Sequence, residues 1–126
     1  MRFSLGKFFK SFTYAAKGIA EVYQREQNFK VHTLAAITAL FLGWFFKVSP
    51  WEWCFLAVVI ALVMAAEMVN TATENLCDAT HPEKNETIRV VKDVSAGMVL
   101  ICAIGALAVG IVIFLPKLID FIESLL

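Results

Sequence analysis

The stretch that decides the fold is residues 94–115, which read VSAGMVLICAIGALAVGIVIFL and carry no charge. A helix needs about 20 apolar residues to cross a bilayer, so this stretch is long enough. Two shorter apolar stretches precede it, and with flanking polar residues they extend over 31–47 and 51–73. We therefore predict an all-α integral membrane protein with three transmembrane helices and a loop at 79–93.

The composition of the whole chain indicates apolar surroundings. Of its 126 residues, 60 % are hydrophobic and 17 % are charged, and the mean hydropathy is +0.73. A water-soluble domain of this size could not hide so many apolar side chains, which disfavours the alternative of a helical hairpin in a soluble core. The length allows one domain, residues 1–126. Eleven basic residues balance eleven acidic ones, and zero net charge argues against nucleic acid as a partner.

The distribution of basic residues predicts the orientation. Nine of the eleven fall before the first span or between the second and third, two regions that share one side: Arg2, Lys7, Lys10, Lys17, Arg25, Lys30, Lys84, Arg89 and Lys92. The positive-inside rule then places the N-terminus and the 79–93 loop in the cytoplasm. Trp44, Trp51 and Trp53 surround the connector on the opposite side, as aromatic rings do at a membrane interface.

We predict that residues 1–30 form an amphipathic helix that lies on the membrane surface. Its apolar side chains recur at helical spacing: Leu5, Phe8, Phe9, Phe12, Ala15, Ala16, Ile19, Val22 and Tyr23. On such a helix Glu26 follows Phe8 by five full turns and shares its apolar face, where a carboxylate needs a cation, a donor or a proton. Alternatively, Glu26 pairs with Arg25 or Lys30 or reaches water. The helix as a whole has an alternative too, in which it only anchors the chain to the membrane.

The second span continues into a stripe of polar residues. On an unbroken helix, Glu67, Asn70, Glu74 and Asp78 project at about 0°, 300°, 340° and 20°, along about 16 Å of one face. Ionisable residues at membrane depth indicate a functional site, and three carboxylates in line repel one another unless a cation lies between them. Mg²⁺ suits such oxygens because it takes one or two carboxylates and shares the rest with phosphate and water. The alternative is a polar stripe that joins helices.

Lys92 and Asp93 open the third span on the same side. A lysine there can neutralise phosphate, and the first turn of the helix adds its positive dipole end. Snorkelling of Lys92 to the interface is the alternative. The chain lacks the glycine-rich phosphate loops and the signature sets of protein kinases and serine hydrolases. We expect His32 and His81 to have no partner. We expect the three cysteines to be core residues: Cys54, Cys77 and Cys102.

The chain contains the string Glu67-x-x-Asn70-Thr71-Ala72-x-Glu74-x-x-x-Asp78, followed by Lys92-Asp93, a helix of small residues and the ending Ile113–Lys117. Together these spacings resemble the prokaryotic diacylglycerol kinase family, which includes the undecaprenol kinases. The resemblance implies a homotrimer of three-span subunits in a bacterial inner membrane, with active sites between neighbours. It also implies transfer of the γ-phosphate of Mg-ATP to the hydroxyl of a membrane lipid alcohol, undecaprenol or diacylglycerol, to give the lipid monophosphate.

The resemblance implies a role for each matching residue. Glu67 matches the catalytic base and, together with Asn70, a position that meets the lipid substrate. Glu26 and Glu74 match the carboxylates that hold Mg²⁺. The positions around the nucleotide are matched by Lys7, Tyr14, Glu26, Glu74, Asp78, Lys92 and Asp93. The chain departs from the family's pattern at Thr73, Val91 and Ser95, where Ile, Ala and Ala are usual, and we expect these changes to affect packing and leave the chemistry intact.

A second hypothesis from a different class stays open at this point. A non-enzymatic membrane oligomer, either a cation pore or a scaffold, would use the acidic stripe to line its interface. Lys92-Asp93 and Glu26 distinguish the two hypotheses, because a pore needs neither. The residues do not choose firmly between the lipids, since both alcohols present one primary hydroxyl at the interface. Asn70-Thr71 and the ending Ile113–Lys117 favour undecaprenol.

Overall fold

The computed structural model describes residues 4–83 and 85–126, and every element within these ranges is a helix. The helices are α1 (Leu5–Arg25), α2 (Gln27–Phe45), α3 (Pro50–Thr80) and α4 (Glu86–Glu123). The all-helical prediction is therefore confirmed. Arg2 and Lys84, two of the basic residues behind the predicted orientation, lie outside the described residues.

Of the described helices, α3 and α4 are long and apolar enough to cross a membrane. Their 31 and 38 residues extend about 46 Å and about 57 Å, against about 30 Å of hydrocarbon. The predicted first span corresponds to α2, which is not one of these two because its first turns contain Gln27, Asn28 and Lys30. That α2 crosses the membrane stays a prediction.

The hairpin of α3 and α4 is the main packing unit. Its two helices run antiparallel, and near one end Leu56 of α3 and Ile113 of α4 form a small buried core with Val48 of the connector. At the same end, Lys117 Nζ lies 3.0 Å from Glu52 Oε1. Polar contacts described below join the opposite end, so the hairpin is held at both ends.

Side-chain caps set the starts of α3 and α4. Ser49 begins a capping box, and α3 starts at Pro50 as the sequence predicts. The Asn85 side chain accepts two backbone N–H bonds of 2.8 and 3.4 Å from the first turn of α4. Helix α3 ends at Thr80 and α4 begins at Glu86, so both helices extend into the predicted loop at 79–93.

Helix α4 continues beyond both ends of the predicted span at 94–115. Because α4 begins earlier, Lys92 lies in its second turn, and the expected contribution of the helix dipole does not apply there. At the other end α4 runs through Pro116 to Glu123. A proline removes one N–H donor, and a long apolar helix tolerates that loss.

Glu26 separates α1 from α2. Its backbone is extended, with φ −98° and ψ 116°, and it caps the end of α1 and the start of α2. The expectation of one continuous surface helix through residue 30 is therefore wrong, because α1 ends at Arg25. The chain turns at Glu26 because α2 packs against α3, whereas α1 leaves Phe9 and Phe12 exposed on its apolar face.

Several apolar side chains lie outside the core. Cys77 is buried as expected, but Cys54 is exposed, so the prediction of a core position is wrong for that thiol. Trp44 and Trp51 are also exposed, beside the connector between α2 and α3. That these indole rings lie at a membrane interface stays a prediction.

Gly43 lies where α2 meets Trp53 of α3, and a Cβ there would come within 2.8 Å of the indole ring. We predict that Gly43→Ala lowers the free energy of unfolding by about 1–3 kcal/mol, as overpacking does. Equilibrium unfolding in detergent micelles measures this change. Gly18→Ala is the matched control, because nothing lies within 4 Å of the position of its Cβ. Equal effects of the two substitutions would contradict the packing argument.

Candidate active site

Four polar side chains of α3 form one stripe, as the sequence predicts. Because α3 is unbroken, Glu67, Asn70, Glu74 and Asp78 lie along the same face. Glu67 is 3 % exposed, Asn70 and Glu74 are half-buried, and Asp78 is exposed. The stripe thus leads from the protein interior to solvent at the end where α3 is followed by α4.

The buried carboxylate of Glu67 has a partner on α2. The imidazole Nε2 of His32 lies 3.2 Å from Glu67 Oε1. The expectation that His32 has no partner is therefore wrong. The two residues are far apart in the chain, and only the packing of α2 against α3 brings them together. The one signal in the sequence was a polar residue at membrane depth in the predicted first span.

Two further carboxylates approach Glu67. Glu26, at the junction of α1 and α2, and Glu74, two turns further along α3, both lie near enough for their negative charges to repel Glu67. Like charges this close favour a cation or a proton among them. Within the described part of the chain, no three His, Cys, Asp or Glu side chains form a metal site on their own. A cation here would need ligands beyond these side chains.

Hydrogen bonds connect the stripe to α4. Asn70 Nδ2 donates to Glu74 Oε1 at 3.3 Å, and Ser95 Oγ lies 2.6 Å from Asn70 Oδ1 and 3.0 Å from the Lys92 carbonyl oxygen. From the sequence we expect Ser95 to affect only packing. In the structure its hydroxyl is buried and belongs to the polar network. Its position one turn after Lys92 is the signal that could have revealed this role.

Ion pairs define the outer end of the stripe. Lys92 pairs with Asp78 across the hairpin, which brings the predicted phosphate-binding lysine to the stripe. Asp93 lies elsewhere, since it pairs with Arg89 at 2.5 Å on the exposed surface of α4. Arg89 also pairs with Glu86, at 2.5 Å. Asp93 is therefore outside the stripe, although it is the next residue after Lys92.

Lys7 and Tyr14 are not brought to the stripe. Both lie on the first half of α1, and Tyr14 is 66 % exposed. Throughout residues 4–83 and 85–126, neither side chain forms a hydrogen bond or an ion pair with the stripe. One copy of the chain thus brings Lys92 of α4 to the predicted residues of α3, and it leaves Asp93 and the predicted residues of α1 apart from them.

An apolar groove of about 780 Å³ leads to the stripe. It runs between α2, α3 and α4, from Val31 and His32 at one end to Leu42 and Leu118 at the other, and its lining is almost entirely hydrophobic. His32 lines this end of the groove, and its imidazole separates the groove from the buried carboxylate of Glu67, which lies 3.2 Å from Nε2. A long apolar chain with a polar head group can lie here with its head at Glu67.

Comparisons with known proteins agree on one family. The family model described as prokaryotic diacylglycerol kinase matches residues 13–114. The chain is 36 % identical over 117 residues to the undecaprenol kinase of Bacillus subtilis (strain 168), covering 93 % of this chain and 95 % of the relative. It is 32 % identical over 111 residues to the diacylglycerol kinase of Synechocystis sp., covering 87 % and 63 %. It is 27 % identical over 103 residues to the diacylglycerol kinase of Haemophilus influenzae, covering 80 % and 87 %.

The bond between Ser95 and Asn70 should contribute to stability. We predict that Ser95→Ala lowers the free energy of unfolding by about 1 kcal/mol, because the half-buried Asn70 oxygen loses its donor. Equilibrium unfolding in detergent micelles measures the loss. Ser124→Ala is the matched control, since the Ser124 hydroxyl donates to the Phe121 carbonyl oxygen of its own exposed helix end. If both variants are equally stable, the network does not join the hairpin.

Proposed function

Because the chain belongs to the prokaryotic diacylglycerol kinase family, we propose that it transfers the γ-phosphoryl group of ATP to the hydroxyl of a membrane lipid alcohol. The family and the names of the relatives support lipid kinase activity in a bacterial membrane. The observation that carries the proposal is the position of His32, which lines the apolar groove and contacts Glu67 at the buried end of the polar stripe. The groove suits hydrocarbon, and the stripe suits a nucleotide.

The depth of Glu67 in the proposed membrane supports the assignment of the groove to the lipid and of the stripe to the nucleotide. From Trp53, at the predicted opposite interface, α3 rises about 21 Å to Glu67 and about 32 Å to Glu74. A hydrocarbon layer of about 30 Å then leaves Glu67 below the interface on the stripe's side and Glu74 at that interface. Glu67 is therefore within reach of a hydroxyl that the lipid phase still holds, and Glu74 is within reach of a solute in water.

In the proposed reaction, Glu67 accepts the proton of the lipid hydroxyl. The hydroxyl oxygen forms a bond to the γ-phosphorus, the bond from that phosphorus to the β–γ bridging oxygen breaks, and ADP leaves. Positioning and charge neutralisation do most of the work in phosphoryl transfer, so the side chains mainly need to align the reactants. Asn70, held between Ser95 and Glu74, supports this by providing a fixed polar edge beside Glu67.

Lys92 is the proposed partner of the transferred phosphate. Its present partner is the exposed carboxylate of Asp78, which a phosphate oxygen of the nucleotide can replace at the same ammonium group. Asp78 then has a role before the nucleotide binds, because it keeps Lys92 at the end of the stripe. Asp93 remains a proposed nucleotide contact that must first leave Arg89.

Glu26 and Glu74 are the proposed ligands of Mg²⁺. Both approach Glu67 with like charge, and carboxylate oxygens are the ligands that this ion prefers. Since Mg²⁺ commonly takes only one or two carboxylates and completes its shell with phosphate and water, a pair of carboxylates fits it. When bound, the ion would neutralise charge on the phosphates.

The proposed working form is a homotrimer. Lys7 and Tyr14 lie apart from the stripe of their own chain, and α4 exposes apolar side chains such as Ile101 and Val112. A neighbouring copy would bring the first half of its α1 to the stripe and cover part of that apolar surface. The excess of basic residues at the stripe's end of the helices supports a cytoplasmic site, where ATP is present.

Undecaprenol is the proposed lipid, with diacylglycerol as the alternative. The relative of 36 % identity is named undecaprenol kinase, whereas those named diacylglycerol kinase share 32 % and 27 %. Membership in a kinase family removes the reason to retain the pore or scaffold hypothesis.

Purified protein in phospholipid vesicles with Mg²⁺ and γ-labelled ATP should label undecaprenol faster than diacylglycerol. Glu67→Gln should lower turnover at least about a hundredfold, the scale of a general base, because an amide cannot take the proton. Chromatography of the extracted lipids measures both effects.

Asp120→Asn is the matched control for this substitution, since Asp120 is an exposed carboxylate at the opposite end of α4. It should keep full turnover. If neither alcohol becomes labelled, the proposed function is wrong, and near-normal turnover of Glu67→Gln would remove Glu67 as the base.

Removal of one proposed metal ligand should change the nucleotide dependence. We predict that Glu74→Gln raises the apparent constant for Mg-ATP, at least about tenfold, because one carboxylate of the pair is lost. A titration of Mg-ATP at fixed lipid measures the change. Glu86→Gln is the control, because Glu86 pairs with Arg89 on the surface of α4. An unchanged constant in Glu74→Gln would count against the metal assignment.

A further inference from the structure

The carboxylate of Glu67 depends on a side chain that the family resemblance does not assign. Among the described residues, His32 is the one that forms an ion pair with Glu67. Its Nε2 lies 3.2 Å from Oε1 of Glu67. The acid is 3 % exposed and the imidazole 24 % exposed. A buried carboxylate without a donor is costly, and this contact offsets part of that cost.

The charges around Glu67 increase the need for such a contact. Glu26 and Glu74 both repel it, and a glutamate side chain has many rotamers through which it can move away. A hydrogen bond at Oε1 selects among those rotamers and leaves Oε2 available. His32 is therefore well suited to keep the carboxylate in one orientation against the repulsion of its neighbours.

The position of His32 also connects it to the groove. His32 lines the apolar groove at the end where Val31 and Met64 lie, and the same imidazole contacts Glu67. A lipid chain in the groove would thus bring its hydroxyl past the imidazole to the carboxylate.

We propose that His32 is the positioning residue for Glu67: its Nε2–H donates to Oε1 and holds the carboxylate with Oε2 toward the lipid hydroxyl. An ionised carboxylate only accepts hydrogen bonds, so Nε2 carries the proton. The proton of the lipid hydroxyl goes to Oε2, and His32 keeps its own. This inference rests on the proposed lipid kinase function and adds to it the residue that orients the base.

Two substitutions of His32 test the proposal in the vesicle assay. His32→Ala should lower kcat about ten- to hundredfold, because a hydrogen bond to a charged group is lost, and should leave the KM for Mg-ATP unchanged. His32→Gln should keep kcat within about threefold of the unmodified chain, since its amide N–H₂ can replace the Nε2–H donor. Equal losses in the two variants, or normal kcat in His32→Ala, would overturn the proposal.

A double-mutant cycle distinguishes positioning from a general loss of structure. In the Glu67→Gln background, His32→Ala should change kcat by less than about twofold, because the group that His32 orients is already inactive. A full additional loss would show that His32 acts independently of Glu67 and would overturn the proposal. His81→Ala is the matched control and should keep full activity, since His81 is exposed and its Nδ1 lies beside Thr80.

The contact can also be observed without turnover. The chain has two histidines, so ¹⁵N-histidine labelling gives His32 and an exposed reference, His81. The Nε2 resonance of His32 should shift in Glu67→Gln and not in the control Glu86→Gln. An unchanged resonance would overturn the proposal even if the kinase is active. If the unmodified chain labels no lipid, the proposed function fails and the role of His32 fails with it, whatever the resonance shows.

Discussion

Glu67 is a carboxylate that the fold buries almost completely, on a helix whose preceding four turns are apolar. Burying such a group is costly unless donors or charges offset the loss of water. The features around it fit this requirement. His32 approaches from α2, the polar stripe continues along α3 toward solvent, and Lys92 and Ser95 of α4 complete the network at its outer part. Polar contacts as well as apolar packing therefore join the three helices at this point. The proposed chemistry uses Glu67, whose burial costs free energy.

The antiparallel hairpin of α3 and α4 gives this site its precision. It is joined at one end by the Glu52–Lys117 pair and at the other by the Asp78–Lys92 pair, so sliding of one helix along the other would break both. Polar side chains on rigid helices keep their spacing better than side chains on loops. The part of the predicted site that lies on α1 is not held by the hairpin, because Lys7 and Tyr14 are on an exposed surface helix. A rigid centre and a separate surface helix suit an enzyme that holds its base in place and takes its nucleotide from water.

The sequence was sufficient for the stripe because helical periodicity alone determines which residues of an unbroken helix share a face. It was not sufficient for Glu26, since the turn between α1 and α2 depends on α2 packing against α3. His32 was missed for the same reason, because its partner is on another helix. The extent of α4 was underestimated because hydropathy reports where a helix is apolar and not where it ends. The Asn85 cap was visible in the sequence as an asparagine before Glu86-Thr87, and could have corrected the start of α4.

The continuity of α3 has a consequence for the host membrane. One capped and unbroken helix connects the tryptophans beside the connector to Glu67, so the separation between them along the helix axis is fixed by the peptide backbone. Bilayers differ in hydrocarbon thickness by a few ångströms, and a helix responds by tilting or by deforming the lipid around it. A thicker bilayer would draw Glu67 further from the aqueous boundary, and a thinner one would bring it nearer. The rate of any reaction at this carboxylate should then depend on acyl-chain length in the surrounding lipid, even for lipids that are never substrates.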